Sequence, residues 1–199
     1  MFISIEGSEG SGKSTLINSL KTYFKKLNKD VIFTKEPGGT PEGKLIRDIL
    51  LDNELTLSPL TEIYLLLSDR VSHIEKLINP ALNENKIIIS DRYIDSTFAY
   101  QGAGRGIDKE LIESIFSTYN FPKTNLTLYL DIPVAKGLNR IQTRNNIDRF
   151  ELEEISFFER IREYYLDLCM KEPNRVKKID AGKSPEEVFL EAVKHIENL

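Results

Sequence analysis

The chain has 199 residues, 40% of them hydrophobic and 29% charged, with a formal net charge of −4 and one cysteine, Cys169. That length supports one domain with a substantial core, and the acidic balance argues against nucleic acid or an anionic membrane as a main partner. A lone cysteine excludes an internal disulfide framework, and no apolar run approaches the roughly 20 residues that span a bilayer.

The apolar run 2–5 predicts a first strand. It begins at residue 2 and leaves no room for a signal peptide, so a cytoplasmic protein is expected. Residues 7–14 follow as G-x-x-x-x-G-K-[ST], with Gly7, Gly12, Lys13 and Ser14 in the fixed places and Ser8, Glu9, Gly10 and Ser11 between them. From Thr15 onward the spacing is helical. Glycines in such a strand–loop–helix unit let successive N–H groups turn inward at phosphate oxygens, and the helix start adds unsatisfied donors. Lys13 then reaches the β/γ-phosphates and the Ser14 hydroxyl can ligate Mg²⁺. The bland alternative, a glycine-rich turn that merely caps a helix, fits the flanks less well.

Residues 30–35 are a second strand, ended by the turn chemistry of Glu36, Pro37, Gly38 and Gly39. A helix over about 41–51 starts on Pro41 and should turn Leu45, Ile46, Ile49 and Leu50 inward. Thr56 or Ser58 can cap a longer helix carrying Ile63, Leu66, Leu67, Arg70 and Ile74, in which Leu66 and Arg70 share a face. Arg70 reads either as a substrate contact or as a snorkelling side chain.

The non-alternating run 86–91 suits a parallel strand buried on both sides. Asp91 at its end can hold Mg²⁺ as a Walker-B-type carboxylate, and Arg92 can clamp a phosphoryl group; a strand-end salt bridge is the structural alternative. Helices are expected over about 94–101, from a cap at Asp108 to about 118, from Pro133 to about 143 and over about 151–170. Strands are expected over 126–131 and 176–180. Ser184 and Glu187 have the spacing of a capping box for the last helix. Cys169, between Leu166, Leu168 and Met170, reads as a buried helical thiol. Between Pro133 and Phe150, Lys136, Arg140, Arg144 and Arg149 face Asp148 alone, which suits a lid over polyphosphate, at about 140–151; a solvated helix end is the alternative. His73 and His195 lack metal-ligand spacing.

Five strands alternating with helices predict a single α/β domain over 1–199, a five-stranded parallel sheet with helices on both faces. Ligands should gather at the strands' carboxyl ends. That rim holds Glu6 to Ser14, Glu36 to Gly39, Asp91, Arg92, Asp131 and Asp180 to Gly182.

Taken together, residues 5–15, 35–40, 68–70, 91–102, 144–151 and 179–181 resemble the thymidylate kinases, and the resemblance spans nearly the whole chain. It implies a P-loop fold, transfer of the γ-phosphoryl of Mg·ATP to dTMP, and a homodimer interacting only with small nucleotides. By position it implies that Lys13 and Arg92 bridge donor and acceptor phosphates and that Glu9 faces the 3′-hydroxyl of dTMP. Arg70, Ser96, Thr97 and Gln101 would lie around thymine, with Glu36 and Pro37 on the acceptor side. Tyr100 would disfavour ribose, and Arg140 and Ala181 would border adenine. A cis bond before Pro37 is also in keeping with the resemblance. Gly10 and Ser11 offer no arginine inside the loop, so the resemblance is to the branch whose lid supplies that charge, with Arg144 and Arg149 as the candidates. Leu66 stands where the family usually has phenylalanine, which forfeits a ring-stacking contribution of about 1 kcal/mol.

Because a dTMP phosphate oxygen is already anionic, no strong general base is required. A deoxynucleoside kinase would instead need Glu36 as general base. Arg70, Arg92 and the pair Gly38 and Gly39 weigh against that reading. Another nucleoside monophosphate kinase or a nucleotide-binding switch are the remaining alternatives.

Overall fold

In the computed structural model, which describes residues 1–141 and 149–199, five strands form one parallel sheet. They are β1 (Phe2–Glu6), β2 (Val31–Lys35), β3 (Ile87–Asp91), β4 (Leu126–Asp131) and β5 (Val176–Asp180), in the order β2-β3-β1-β4-β5. All five residues of β1 and the first five of β4 are buried, as central strands covered on both sides must be. The register sets Ile5 beside Asp91, Lys35 beside Asp91, Glu6 beside Tyr129 and Asp131 beside Asp180. The carboxyl ends therefore finish at one rim.

Strand alternation explains the two unlike faces of the sheet. Ile3, Ile5, Ile89, Leu128 and Leu130 pack under helices α1 (Lys13–Lys26) and α9 (Pro185–Glu197), through Leu16, Leu20, Phe24, Val188 and Ala192. The opposite face has a polar centre. Ser4, Glu6, Ser90 and Thr127 are fully buried there, with Ser4 Oγ 2.9 Å from Thr127 Oγ1. Flanking that centre, Tyr129 stacks on Tyr165 of α8 (Ile155–Lys171) at 4.6 Å. Phe2 and Ile88 meet Ile74, Ile78 and Tyr93 on the other side.

The helices mostly begin where their caps predict. Thr40 Oγ1 accepts from Gly43 N at the start of α2 (Pro41–Leu51), and Ser58 caps α3 (Pro59–His73). The chain continues through a π-helical turn (Ile74–Ile78) into α4 (Asn79–Asn83), two short elements that lacked a sequence signal. The expected helix over 94–101 is α5 (Ile94–Thr97) followed by a π-helical segment (Phe98–Gly104). Asp108 caps α6 (Lys109–Phe116), and α7 (Val134–Ile141) reaches the limit of the described residues. Helix α8 starts at Ile155 rather than near 151, because residues 149–153 turn back against the core instead of winding into it. Cys169 on α8 is half-buried, and burial pushes its thiol up to about 11. No helix among the described residues is long and apolar enough to cross a membrane.

One expected core face is corrected. On α2 only Leu50 of the four aliphatic residues is buried, while Leu45 and Ile49 are 66% and 41% exposed. The inward stripe is instead Gly43, Arg47 and Leu50, at the helical spacing i, i+4, i+7. Gly43 permits close packing there, since an added Cβ would sit 2.2 Å from Asp69 Oδ1.

The terminal helix carries a complete capping box: Glu187 N donates to Ser184 Oγ, and Ser184 N donates to Glu187 Oε2. Ser184→Ala should lower stability by about 1 kcal/mol, seen as a lower urea midpoint at unchanged slope. An unmoved midpoint would show that the cap contributes nothing.

Candidate active site

The loop between β1 and α1 depends on backbone that only glycine adopts easily. Gly10 lies at φ +71° and Gly12, the residue before α1, at φ +91°. At Gly10 space is also limiting, because a Cβ there would lie 2.1 Å from the Gly137 carbonyl oxygen of α7. Lys13 Nζ donates to the carbonyls of Gly7 at 2.8 Å and Ser8 at 3.3 Å. Burial, reinforced by Arg92, pulls the Lys13 ammonium down to about 8.

Arg92 follows β3 at φ +70°, a left-handed conformation costing about 1–2 kcal/mol for a residue with a Cβ. Its N–H donates to Ile5 O, and its carbonyl accepts from Ser90 Oγ. That turn aims the guanidinium back over the P-loop, where Nη2 donates to Glu9 Oε1 at 2.8 Å and to the Tyr100 hydroxyl at 2.7 Å. Tyr100 in turn donates to Glu9 at 2.9 Å, and Arg92 stacks on its ring at 4.6 Å. Neighbouring acidic groups and phenols hold Arg92 firmly charged despite its burial.

Arg70 is 1% exposed. Nε donates to Glu36 Oε2 at 2.6 Å, Nη1 to Thr97 Oγ1 at 3.0 Å and Nη2 to the Tyr93 carbonyl at 3.1 Å. The other Glu36 oxygen meets His73 Nδ1 at 2.8 Å, and His73 Nε2 lies 2.6 Å from Thr34 Oγ1. Both Glu36 oxygens are thus engaged, which is poor preparation for a general base. The bond before Pro37 is cis.

These parts enclose one cavity of about 410 Å³. At one end lie Lys13, Ser14, Thr15 and Asp91, with Gly10, Ser11 and Gly12 of the loop; at the other lie Glu36, Pro37, Leu66, Arg70, Thr97 and Gln101; Glu9, Arg92, Ser96 and Tyr100 also line it. Gly7 and Ser8 shape the loop from behind. Arg140 and Ala181 border an adjoining cleft of about 350 Å³, where Arg140 Nη1 donates to the carbonyls of Gly10 and Ala181. Arg149 does not line the cavity; it donates to Glu62 Oε1 at 2.7 Å and to Leu50 O at 3.2 Å. Arg144 lies outside the described residues.

Asp91 Oδ1 is buried without a hydrogen-bond partner among the described residues, in the cavity that Ser14 also lines. An orphaned carboxylate oxygen in a cavity that a serine also lines fits a hard divalent cation. Mg²⁺ commonly takes one or two protein ligands plus phosphate and water, so the lack of a larger acidic or His/Cys cluster among the described residues is compatible with it.

Several cavity residues escaped the sequence reading. Arg47, which donates to Pro37 O at 3.0 Å, lines the cavity at its Pro37 end from the Gly43 and Leu50 face of α2. That helical spacing was its available signal. Phe150 brings an aromatic ring into the cavity that Leu66 also lines, edge-on to Tyr100 at 6.0 Å. Glu6, which the sequence placed on the rim, sits behind the cavity wall at the end of β1 and accepts from Tyr93 N, Ser96 Oγ and the Tyr165 hydroxyl.

A P-loop, a strand-end Asp-Arg pair and a second arginine-walled pocket on the rim of a five-stranded parallel sheet define a P-loop nucleotide kinase. A family model for thymidylate kinase matches residues 5–192. Thymidylate kinases of Acinetobacter baumannii (strain SDF) and Kosmotoga olearia are 41% and 39% identical, each over 98% of this chain and over 100% and 94% of their own lengths. The crystal structure of thymidylate kinase from Ehrlichia chaffeensis superposes with a TM-score of 0.81 at 32% identity, covering 99% of this chain and 98% of that one. The chain belongs to the thymidylate kinase family of ATP-dependent phosphotransferases.

Burial, followed by the Asp95 charge, pushes the Glu6 carboxyl from 4.5 up to about 7. A folded-state pKa above the unfolded one means that this contribution to stability is complete below about pH 4.5 and is lost as pH rises through about 7. Urea unfolding of the wild type and Glu6→Gln from pH 5 to 8 should show the wild type losing ground to the variant with rising pH. Parallel profiles would contradict that environment for Glu6.

Proposed function

We propose that this protein transfers the γ-phosphoryl group of ATP to dTMP, giving dTDP and ADP, across the cavity between Lys13 and Arg70. The observation that carries the reading is the position of Arg92, which lines one cavity with the phosphate loop on one side and a second, buried arginine on the other. The donor's phosphates would lie on residues 7–15, its adenine near Arg140 and Ala181. The acceptor's base would lie among Leu66, Arg70, Thr97 and Gln101, its sugar against Glu9 and Tyr100, and its phosphate between Arg92 and Arg47. A buried Tyr100 hydrogen-bonded to Glu9 beside the sugar would leave little room for a 2′-hydroxyl.

The chemistry assigned to the chain is positioning and charge neutralisation. Lys13 and Arg92 hold the reacting phosphates in line, while loop N–H groups draw charge from the donor. The acceptor oxygen is anionic and needs no proton removed, which suits a Glu36 committed to Arg70 and His73. Mg²⁺ held by Ser14 and Asp91 would supply further neutralisation across the donor phosphates. Arg144 and Arg149 are assigned to the closing segment, Arg149 leaving Glu62 to do so.

A homodimer is part of the reading. Leu45 and Ile49 of α2 and Leu60 and Tyr64 of α3 are 41–66% exposed, at i, i+4 spacing on two helices that pack together. An apolar surface of that kind on adjoining helices suits an isologous contact.

Three outcomes test these assignments. With Mg·ATP, ADP release in the presence of dTMP should exceed that with dUMP, UMP, CMP, AMP, dGMP or thymidine at least tenfold; activity on thymidine but not dTMP would make this a nucleoside kinase. Lys13→Ala should remain folded and lose about 10²–10³-fold in kcat, and an unchanged rate would remove Lys13 from the site. Ile49→Glu should sediment as a monomer where the wild type sediments as a dimer, and wild-type behaviour would place the interface elsewhere.

A further inference from the structure

Glu62 lies on α3, two turns before Arg70, and its side chain is completely buried. A carboxylate in that position must be matched by donors, and it is. Oε1 accepts from Arg149 Nη1 at 2.7 Å and lies 3.1 Å from Arg105 Nη2. Oε2 accepts from Arg105 Nε at 3.3 Å and from Gln101 Nε2 at 3.0 Å. Arg105 continues the network to Glu153 and stacks on Phe157 at 4.9 Å. Gln101 differs from the other members because it lines the cavity.

The Gln101 amide could in principle face either way, since its oxygen and nitrogen are similar in shape. An ionised carboxylate only accepts hydrogen bonds, so the end of the amide that meets Glu62 must be the NH₂. Gln101 Oε1 is then left over, buried and without a partner among the described residues. A buried acceptor of that kind is costly unless a ligand supplies the donor.

We propose that Glu62 is a positioning residue for base selection: by holding Gln101 Nε2 it presents Gln101 Oε1 to the ligand, so that the site accepts a base with an imide N–H and rejects one with a ring nitrogen acceptor there. Thymine has such an N–H between two carbonyls, whereas cytosine has a lone pair at that nitrogen beside an amino group. This inference rests on dTMP as the acceptor. A site built to satisfy one polar edge discriminates strongly against the opposite edge, because the mismatch leaves buried groups unpaired.

Glu62→Gln supplies the test. A glutamine can donate to Gln101 Oε1, which lets the Gln101 amide turn and present its NH₂ to the ligand. The ratio of kcat/KM for dTMP over dCMP should fall at least tenfold, mainly through KM for dTMP. In a Gln101→Ala background the same substitution should leave the ratio unaffected, since Glu62 acts through that amide. A folded Glu62→Gln protein with the wild-type ratio, or an equal drop in the Gln101→Ala background, would overturn the inference. Glu62→Met, of similar length and uncharged, is the second variant; it frees the amide and should also lower the ratio, and a wild-type ratio would again overturn it. The wild-type protein supplies a reading that needs no substitution: dTMP methylated at the ring N3 should bind at least tenfold more weakly than dTMP, and equal binding would refute the required N–H. A wild type that phosphorylates dTMP while failing these tests sinks only the role of Glu62. A wild type inactive on dTMP sinks the function itself.

Discussion

The wall of the cavity opposite the P-loop depends on the burial of one guanidinium. Arg70 is almost wholly removed from water, which would cost several kcal/mol if it were unmatched. Its match comes from three separate parts of the chain: Glu36 after β2, Thr97 at the end of α5, and the Tyr93 carbonyl after β3. Aromatic faces of Tyr93 and Phe116, 5.4 and 5.3 Å away, complete the enclosure. Glu36 is tied further to His73, whose ring packs so closely on Gly39 that a Cβ there would come within 2.6 Å of it. Loss of either charge would leave the other buried and uncompensated. The ion pair is therefore poor evidence of added stability and good evidence of a fixed geometry.

The donor half solves a different problem. There the backbone carries the shape, through positive-φ glycines, and the Lys13 ammonium is tied back to the carbonyls of Gly7 and Ser8. Arg92 joins the halves because its left-handed backbone turns the side chain back across the sheet rim, a strain held by hydrogen bonds to β1 and Ser90. Behind it, the buried polar centre of the sheet leads from Ser4 and Thr127 to Glu6 and Ser96. Glu6 thereby connects the strand that precedes the P-loop to Ser96, which lines the cavity.

The clustering of Arg149, Arg105 and Gln101 on Glu62 gives α3 a second task beside presenting Leu66 and Arg70. One carboxylate faces both the cavity wall and the stretch that leads into α8. Gln101 and Arg149 consequently share a single buried anchor.

The strands, their parallel arrangement, the P-loop and most helix starts were legible in the amino-acid order, because those depend on local periodicity, glycine placement and caps within a few residues of each other. That order also identified Lys13, Asp91 and Arg92 of the cavity's lining, because they occur in contiguous motifs, whereas Ser96, Thr97, Tyr100 and Gln101 came only with the family resemblance. It misjudged α2, where four aliphatic residues suggested a core face and only Leu50 is buried; apolar spacing cannot say whether a face meets this chain's core or is left exposed. It missed Arg47 and Glu62, each a single charged residue on an otherwise ordinary helix. Their meaning arises from partners far along the chain, at Pro37 for one and at Gln101, Arg105 and Arg149 for the other. Only tertiary structure decides which buried charge is matched, and by what, because desolvation is set by everything packed around a group rather than by its neighbours in sequence.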